Sequence, residues 1–361
     1  IELGLVGSEM CIRDSLVTGG SGYVGEAIIN NLHNSGQKVI SLDVIDNKNK
    51  LKNVEYITGS ILDLNLLEIV MKNVDYVHHN AALVPLTKSG DLYREVNVLG
   101  TKNLLKLAIK NEVKHFCHMS SSAVFGVPVE LPLNNLSDRV PVEIYGKSKK
   151  DAEDLVISAM ANDASFSASI IRPRTILGTD RLGIFQLLFK WISKGIDVFL
   201  IGKGNEPFQF AHINDIVNTS TKSCFLKKRG IYNVGTLHFE SLSSDLSALV
   251  NFAKTGSRIR NLPENFSINS LKLLDFLNLS PFAPWHYLTY HKPFYFESNY
   301  VYKELNFKPF GSNIDCLIDS YKSFINSKDN LNNNLVSSSP HKSNLKADFI
   351  DIAARTLSML P

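Results

Sequence analysis

The chain has 361 residues, 44% of them hydrophobic and 20% charged, with a net charge of +3. This is an ordinary globular balance, long enough for one large or two modest domains, and its charge is too small to argue for a nucleic-acid partner. No apolar run reaches the ~18 residues of a membrane-spanning helix; the nearest, Gly183 to Ile201, is interrupted by Lys190, Lys194 and Asp197.

Residues 1–15 do not read as the start of a fold. Met10-Cys11-Ile12-Arg13-Asp14-Ser15 stands where a buried first strand needs a β-branched apolar run. A basic region and long apolar core, as in a signal peptide, are both missing. Cys-Ile-Arg-Asp-Ser matches the translation of a transposon-type sequencing adapter, so residues 1–15 are expected to be an artefact in place of the native N-terminus. Leu16-Val17-Thr18 is then what remains of the first strand. Thr18-Gly19-Gly20-Ser21-Gly22-Tyr23-Val24-Gly25 follows, with glycines spaced GxxGxxG before a helical pattern from Ala27. Such a loop lets backbone approach a pyrophosphate and aims a helix N-terminus at it. A ligand-free Gly-rich turn reads the same way when taken alone.

Strands are expected at Lys38–Leu42, Val54–Ile57, Val74–His79, Lys114–Met119 and Ser169–Ile171, with helices over Leu64–Val70, Tyr93–Lys110 and Ile144–Met160. This alternation predicts an α/β fold, a Rossmann-type doubly wound parallel sheet, with ligands at the carboxyl ends of its strands. The NAD-binding domain is expected over 16–175, with 206–235 returning to it. A smaller C-terminal substrate-binding domain takes 176–205 and 236–326. Residues 327–361 are a linker and tail, with an amphipathic helix expected within Ala347–Leu360. The four cysteines, Cys11, Cys117, Cys224 and Cys316, show no metal spacing and read as free thiols of a reducing, cytoplasmic compartment. His79, His118 and His212 are scattered, so no metal is expected.

Asp43 ends the second strand, 18 residues after Gly25. A carboxylate there accepts from the adenosine ribose hydroxyls and repels a 2′-phosphate, which favours NAD over NADP. Asp63, with Ile61 and Leu62 before it, either contacts the adenine edge or caps the helix that follows. Tyr145 and Lys149, four apart on one helical face, pair a phenol with an ammonium. That pairing is expected to lower the phenol's pKa toward working pH and make it an acid/base for a substrate hydroxyl. A hydroxyl of Ser120-Ser121-Ser122 would hold the substrate oxygen against it. Phe185, Phe189, Trp191, Trp285 and Tyr287 form either an apolar substrate wall or core.

From Leu16 to Tyr321 the chain resembles the extended short-chain dehydrogenase/reductase family of NAD-dependent epimerase/dehydratase type. The motifs run in order: TGGSGYVG at 18–25, Asp43, Asp63, HNAA at 79–82, VNVLGTKNLL at 96–105, SSSAVFG at 120–126, YGKSK at 145–149, RP at 172–173 and FAHINDIV at 210–217. The resemblance implies that Gly19, Gly22, Tyr23, Val24 and Gly25 hold the pyrophosphate. It further implies that Ala81 and Ala82 line the cofactor, that Lys149 also binds the nicotinamide ribose, and that Pro173 borders the nicotinamide. Ser121 is the implied catalytic serine, Ser122 its close rival, and Asn97 mainly structural. Nucleotide-sugar enzymes of the family carry Arg-aromatic-aromatic-Asn after the sixth strand, where this chain has Arg172-Pro173-Arg174-Thr175, so Thr175 stands for the Asn. Phe125 stands where the family has Tyr. The expected activity is hydride transfer at a sugar or nucleotide-sugar hydroxyl or carbonyl. The alternatives are a hydroxysteroid-dehydrogenase-like or dihydroflavonol-reductase-like oxidoreductase and a non-catalytic NAD-binding scaffold. A homodimer through Tyr93–Lys110 and Ile144–Met160 is also implied.

Overall fold

The computed structural model describes residues 14–85, 90–179, 185–276, 284–332, 354–356 and 358. Its centre is a seven-stranded sheet of order β3-β2-β1-β4-β5-β6-β10, every pair parallel. The strands are β1 (Asp14–Thr18), β2 (Lys38–Asp43), β3 (Val54–Thr58), β4 (Tyr76–His79), β5 (His115–Met119), β6 (Ala168–Pro173) and β10 (Gly230–Val234). Helices α1 (Tyr23–Asn34), α2 (Leu64–Val70), α3 (Gly100–Lys110) and α4 (Ile144–Asn162) connect them. A wide π turn, Arg94–Leu99, leads into α3. The strand order reverses between β1 and β4, which opens a crevice at their carboxyl ends.

The sheet is apolar on both faces, as a strand covered on both sides requires. Leu16, Val77, Phe116 and Ile170 pack with α3 and α4 on one face. Val17 packs with α1 and with Ile213 and Val217 of α6 (Ile213–Phe225) on the other. Residues 1–13 lie outside the described residues. Strand β1 begins at Asp14, two residues before the expected Leu16, because parallel pairing with β2 and β4 continues through Ser15. Ser15 is fully buried there and its hydroxyl has no hydrogen-bond partner among the described residues.

Beyond β6 the expected return to the main sheet is made by α6 and β10. Phe210–His212 (β9) does not join that sheet; it pairs with β7 (Thr175–Leu177), since both are three-residue strands set beside the crevice. A second core gathers Phe185 and Phe189 of α5 (Phe185–Ile192), β8 (Val198–Ile201), α7 (Leu242–Ala253) and α11 (Asn313–Asn332). β8 pairs with β11 (Ile259–Leu262). Helix α11 runs on to Asn332, past the expected start of the linker at 327. Of the expected tail helix, 354–356 and 358 are helical. Ala354 is buried against Leu187, Trp191 and Ile196, and the Ser358 hydroxyl accepts from the Asp197 amide at 3.0 Å.

Candidate active site

The crevice is a cavity of about 470 Å³. Gly19, Gly22, Tyr23, Val24 and Gly25 form one wall at the start of α1. Gly19 has φ +68°, and a Cβ on it would lie 2.7 Å from the Ala81 amide. A Cβ on Gly25 would lie 2.1 Å from the Gly19 carbonyl oxygen. The two glycines therefore let the loop fold onto itself and onto the end of β4. Gly22 begins α1 without a side-chain cap, so backbone N–H groups and the positive end of the helix dipole face the cavity. Asp43, at the end of β2, also lines the cavity. Its two oxygens accept from the Ser21 and Ile45 amides, each at 3.0 Å.

At the other end, Ser121, Ser122, Tyr145, Lys149, Pro173 and Thr175 line the same cavity, as do Ile61, Ala81 and Ala82. α4 starts where it does because Glu143 caps it, accepting from the Tyr145 and Gly146 amides at 2.8 and 2.7 Å. Gly146 lets α4 abut the turn Ser122–Phe125, since a Cβ there would lie 2.5 Å from the Ala123 oxygen. That close approach puts the Tyr145 phenol near Ser121, which opposes the rise of its pKa.

The expected electrostatics are not those of the chain alone. Burial pushes the Tyr145 phenol up to about 12, with Ser121 opposing and Glu143 and Tyr93 adding to the rise. The Lys149 ammonium does not relieve it. Lys149 Nζ donates to the Met119 carbonyl at 2.5 Å, and burial lowers its pKa to about 8, with Glu153 opposing. Beneath it, His79 is held by Thr18 and Thr101 at 2.8 and 2.9 Å. Burial, then Lys149, pushes it down to about 3.

Two expected contacts fall outside the cavity. Asp63 is exposed and caps α2, accepting from the Leu66 amide at 3.0 Å, so of its two readings the capping one is observed. Leu62 beside it does not line the wall either. Phe125 is buried against Arg172, Phe294 and Phe296. Phe185 lines the cavity, while Phe189 and Trp191 belong to the second core and its edge; the Trp285 side chain lies outside the described residues.

Glu153 escaped the sequence reading, although the spacing Tyr145–Lys149–Glu153 repeats one helical step twice. It is fully buried. It accepts from Ser120 at 2.5 Å, from Arg172 at 2.9 and 2.7 Å, and from Arg139 at 2.9 Å. These bonds tie α4 to the ends of β5 and β6, which sets the Tyr145 and Lys149 side chains over the crevice. Asn97 also positions, bonding Leu83 on both backbone atoms and Ser148 at 2.9 Å. Sequence distance likewise hid a buried trio of His78, Cys117 and Cys224, whose ligand atoms lie within 4.8 Å of one another beside Ser220.

Comparison with known proteins adds the following. Residues 15–235 match the model of a family described as NAD dependent epimerase/dehydratase. Over 350 residues the chain is 33% identical to the uncharacterized protein y4nG of Sinorhizobium fredii, covering 97% of this chain and 88% of that one. It is 33% identical over 217 residues to a UDP-glucose 4-epimerase of Vibrio cholerae, covering 57% of this chain and 65% of that one. Among solved structures, UDP-glucose 4-epimerase of Thermotoga maritima with UDP-glucose has a TM-score of 0.72 at 19% identity, covering 88% of this chain and 100% of that one. The structural likeness is one of fold.

Proposed function

The chain belongs to the NAD-dependent epimerase/dehydratase family, and we propose that it moves a hydride between NAD and a sugar or nucleotide-sugar hydroxyl or carbonyl. One observation carries this reading: Ser121, Tyr145 and Lys149 open onto the same cavity as the glycine loop. The residues fit NAD. Gly19, Gly22 and Gly25 leave a backbone cradle for a pyrophosphate, and Tyr23 and Val24 add the first N–H groups of α1. Asp43 faces the adenosine ribose, and among the described residues no Lys or Arg lines the cavity near it to receive a 2′-phosphate, which favours NAD over NADP. Ala81, Ala82, Ile61 and Pro173 supply the flat apolar walls.

When bound, NAD accepts a hydride from the carbinol carbon and can return it. The chain's own part is proton transfer and orientation. Tyr145 takes the hydroxyl proton as the carbonyl forms, Ser121 holds the oxygen, and Lys149 binds the nicotinamide ribose; the positive charge that a phenolate needs is not supplied by Lys149 in the chain alone. Ser122 and Thr175 bound the substrate side; the Thr175 hydroxyl bonds Tyr290 at 3.2 Å. The nucleotide-sugar class is supported by likeness to the Vibrio cholerae enzyme. Site assignments, the division into an NAD domain and a covering domain, a homodimer through α3 and α4, and a cytoplasmic setting are parts of the same proposal. Leu99 and Ile144 are exposed at the starts of those helices, which suits a partner. No helix among the described residues is long and apolar enough to cross a membrane.

A simple alcohol dehydrogenase is the second reading, favoured by Thr175 in place of Asn and by the apolar wall of Val84, Pro85 and Phe185. The test is to assay the purified chain against UDP-sugars with no added NAD, following product by NMR. An epimerase converts substrate with its retained NAD, and Tyr145→Phe slows it about 10²–10⁴-fold. Turnover unaffected by Tyr145→Phe overturns the mechanism. Turnover only with added NAD favours the second reading.

A further inference from the structure

Two buried arginines flank Pro173 at the end of β6, and their surroundings differ. Arg172, 1% exposed, gives its Nε and one Nη to Glu153 at 2.9 and 2.7 Å and is neutralised. Arg174, 2% exposed, has only neutral partners: Nε donates to the Gln209 carbonyl and Nη1 to the Ser122 hydroxyl, each at 3.2 Å. Its guanidinium carbon lies 4.7 Å from the ring centre of Phe208 and 3.9 Å from that of Phe294. Aromatic faces offset part of a cation's desolvation but do not neutralise it. Among the described residues no carboxylate pairs with Arg174. Burial lowers its pKa to about 9, so it remains charged at neutral pH. Arg174 also lines the cavity, between Pro173 and Thr175.

A buried cation without a counter-charge is costly. Here it stands where a ligand can supply the missing charge. We propose that Arg174 anchors a carboxylate of the substrate, so that the compound handled at Tyr145 carries a carboxylate close to its reacting carbon. The proposal rests on the reading of Tyr145 as the acid/base. Position fixes which end of the substrate is held: Ser122, bonded to Arg174, directly follows Ser121, which lines the same cavity as Tyr145. The phosphates of the dinucleotide are served by the glycine loop and α1. With two rings against the guanidinium, Nε on the Gln209 carbonyl and one Nη1 hydrogen on Ser122, what remains is Nη2 and the other Nη1 hydrogen, an in-plane edge that matches a planar carboxylate.

The test uses the full chain loaded with NAD and two ligand pairs that differ only in carboxylate against hydroxymethyl. These are UDP-glucuronic acid with UDP-glucose, and glucuronic acid with glucose. Calorimetry is expected to show the acid binding about tenfold or more tighter in at least one pair, the scale of a charge-assisted hydrogen bond. Arg174→Gln erases the preference, and Arg174→Lys keeps part of it, while both variants bind NAD like the parent. Equal binding of acid and neutral ligand in both pairs overturns the proposal, as does a preference that survives Arg174→Gln. Should Arg174→Gln not fold, Arg174→Lys and the parent chain decide. Failure to bind NAD, or turnover indifferent to Tyr145→Phe, counts against the underlying reading, with the acid preference still read independently.

Discussion

At the scale of single residues, the site depends on a carboxylate that never faces the cavity. Glu153 is the counter-charge for Arg172 and the one group that opposes the lowering of the Lys149 pKa. Glu153→Ala leaves a guanidinium buried without a partner, and is expected to destabilise the fold by about 3–5 kcal/mol. Its denaturant midpoint reads this directly; an unchanged midpoint would mean that Arg172 finds water or another partner. Tyr145 and Lys149 were legible in the sequence because their spacing is local. Glu153 was not singled out, because its value comes from Arg172, Arg139 and Ser120, which only the fold assembles. Asp63 was legible as two equal possibilities, and the fold shows the capping one, an exposed bond from the Leu66 amide.

Among the elements, the loop between β1 and α1 is folded tightly against the start of α1. Gly25→Ala places a methyl 2.1 Å from the Gly19 oxygen, against backbone that cannot yield. The expected result is loss of NAD binding together with a stability loss of about 1–3 kcal/mol, as overpacking produces. Retained NAD affinity in this variant would show that the loop can move. The strand feeding that loop carries the opposite case. Ser15 buries a hydroxyl with no partner among the described residues, so Ser15→Ala should raise stability by about 1 kcal/mol; a lower melting temperature would contradict this. The sequence reading ended β1's credible part at Leu16, because Asp14 and Ser15 are poor strand residues taken alone. Pairing with Lys38, Val39 and Tyr76 overrides that local preference. The β7–β9 pair was missed for a related reason: two three-residue strands carry too little periodicity to announce a partner.

Over the whole molecule, the central sheet buries a set of neutral histidines. Burial first of all holds His79 down to about 3 and His115 to about 4, and lowers His118 and His212 as well. The unfolded chain takes up these protons near 6.5 and the folded chain does not, so their contribution is complete above 6.5 and is lost as pH falls toward 4. Asp215, pushed up to about 6 by burial, works in the opposite sense, as do Glu143 and Asp245. The histidine shifts are larger and are expected to prevail. Urea midpoints should therefore drop between pH 6.5 and 4; a flat profile would mean the histidines are reached by solvent. The parallel architecture and the crevice at its switch point were legible from alternating elements and ordered motifs. The depressed histidines were not, because β4 and β5 reveal their burial only when stacked.

The central claim is that the crevice is an NAD site with its selectivity set at Asp43. Calorimetric titration of the purified chain with NAD and NADP, repeated on Asp43→Ala, tests it most directly. The expected result is NAD bound more tightly than NADP, with the difference shrinking in Asp43→Ala. Binding of neither dinucleotide, or a preference for NADP in the parent chain, would contradict it.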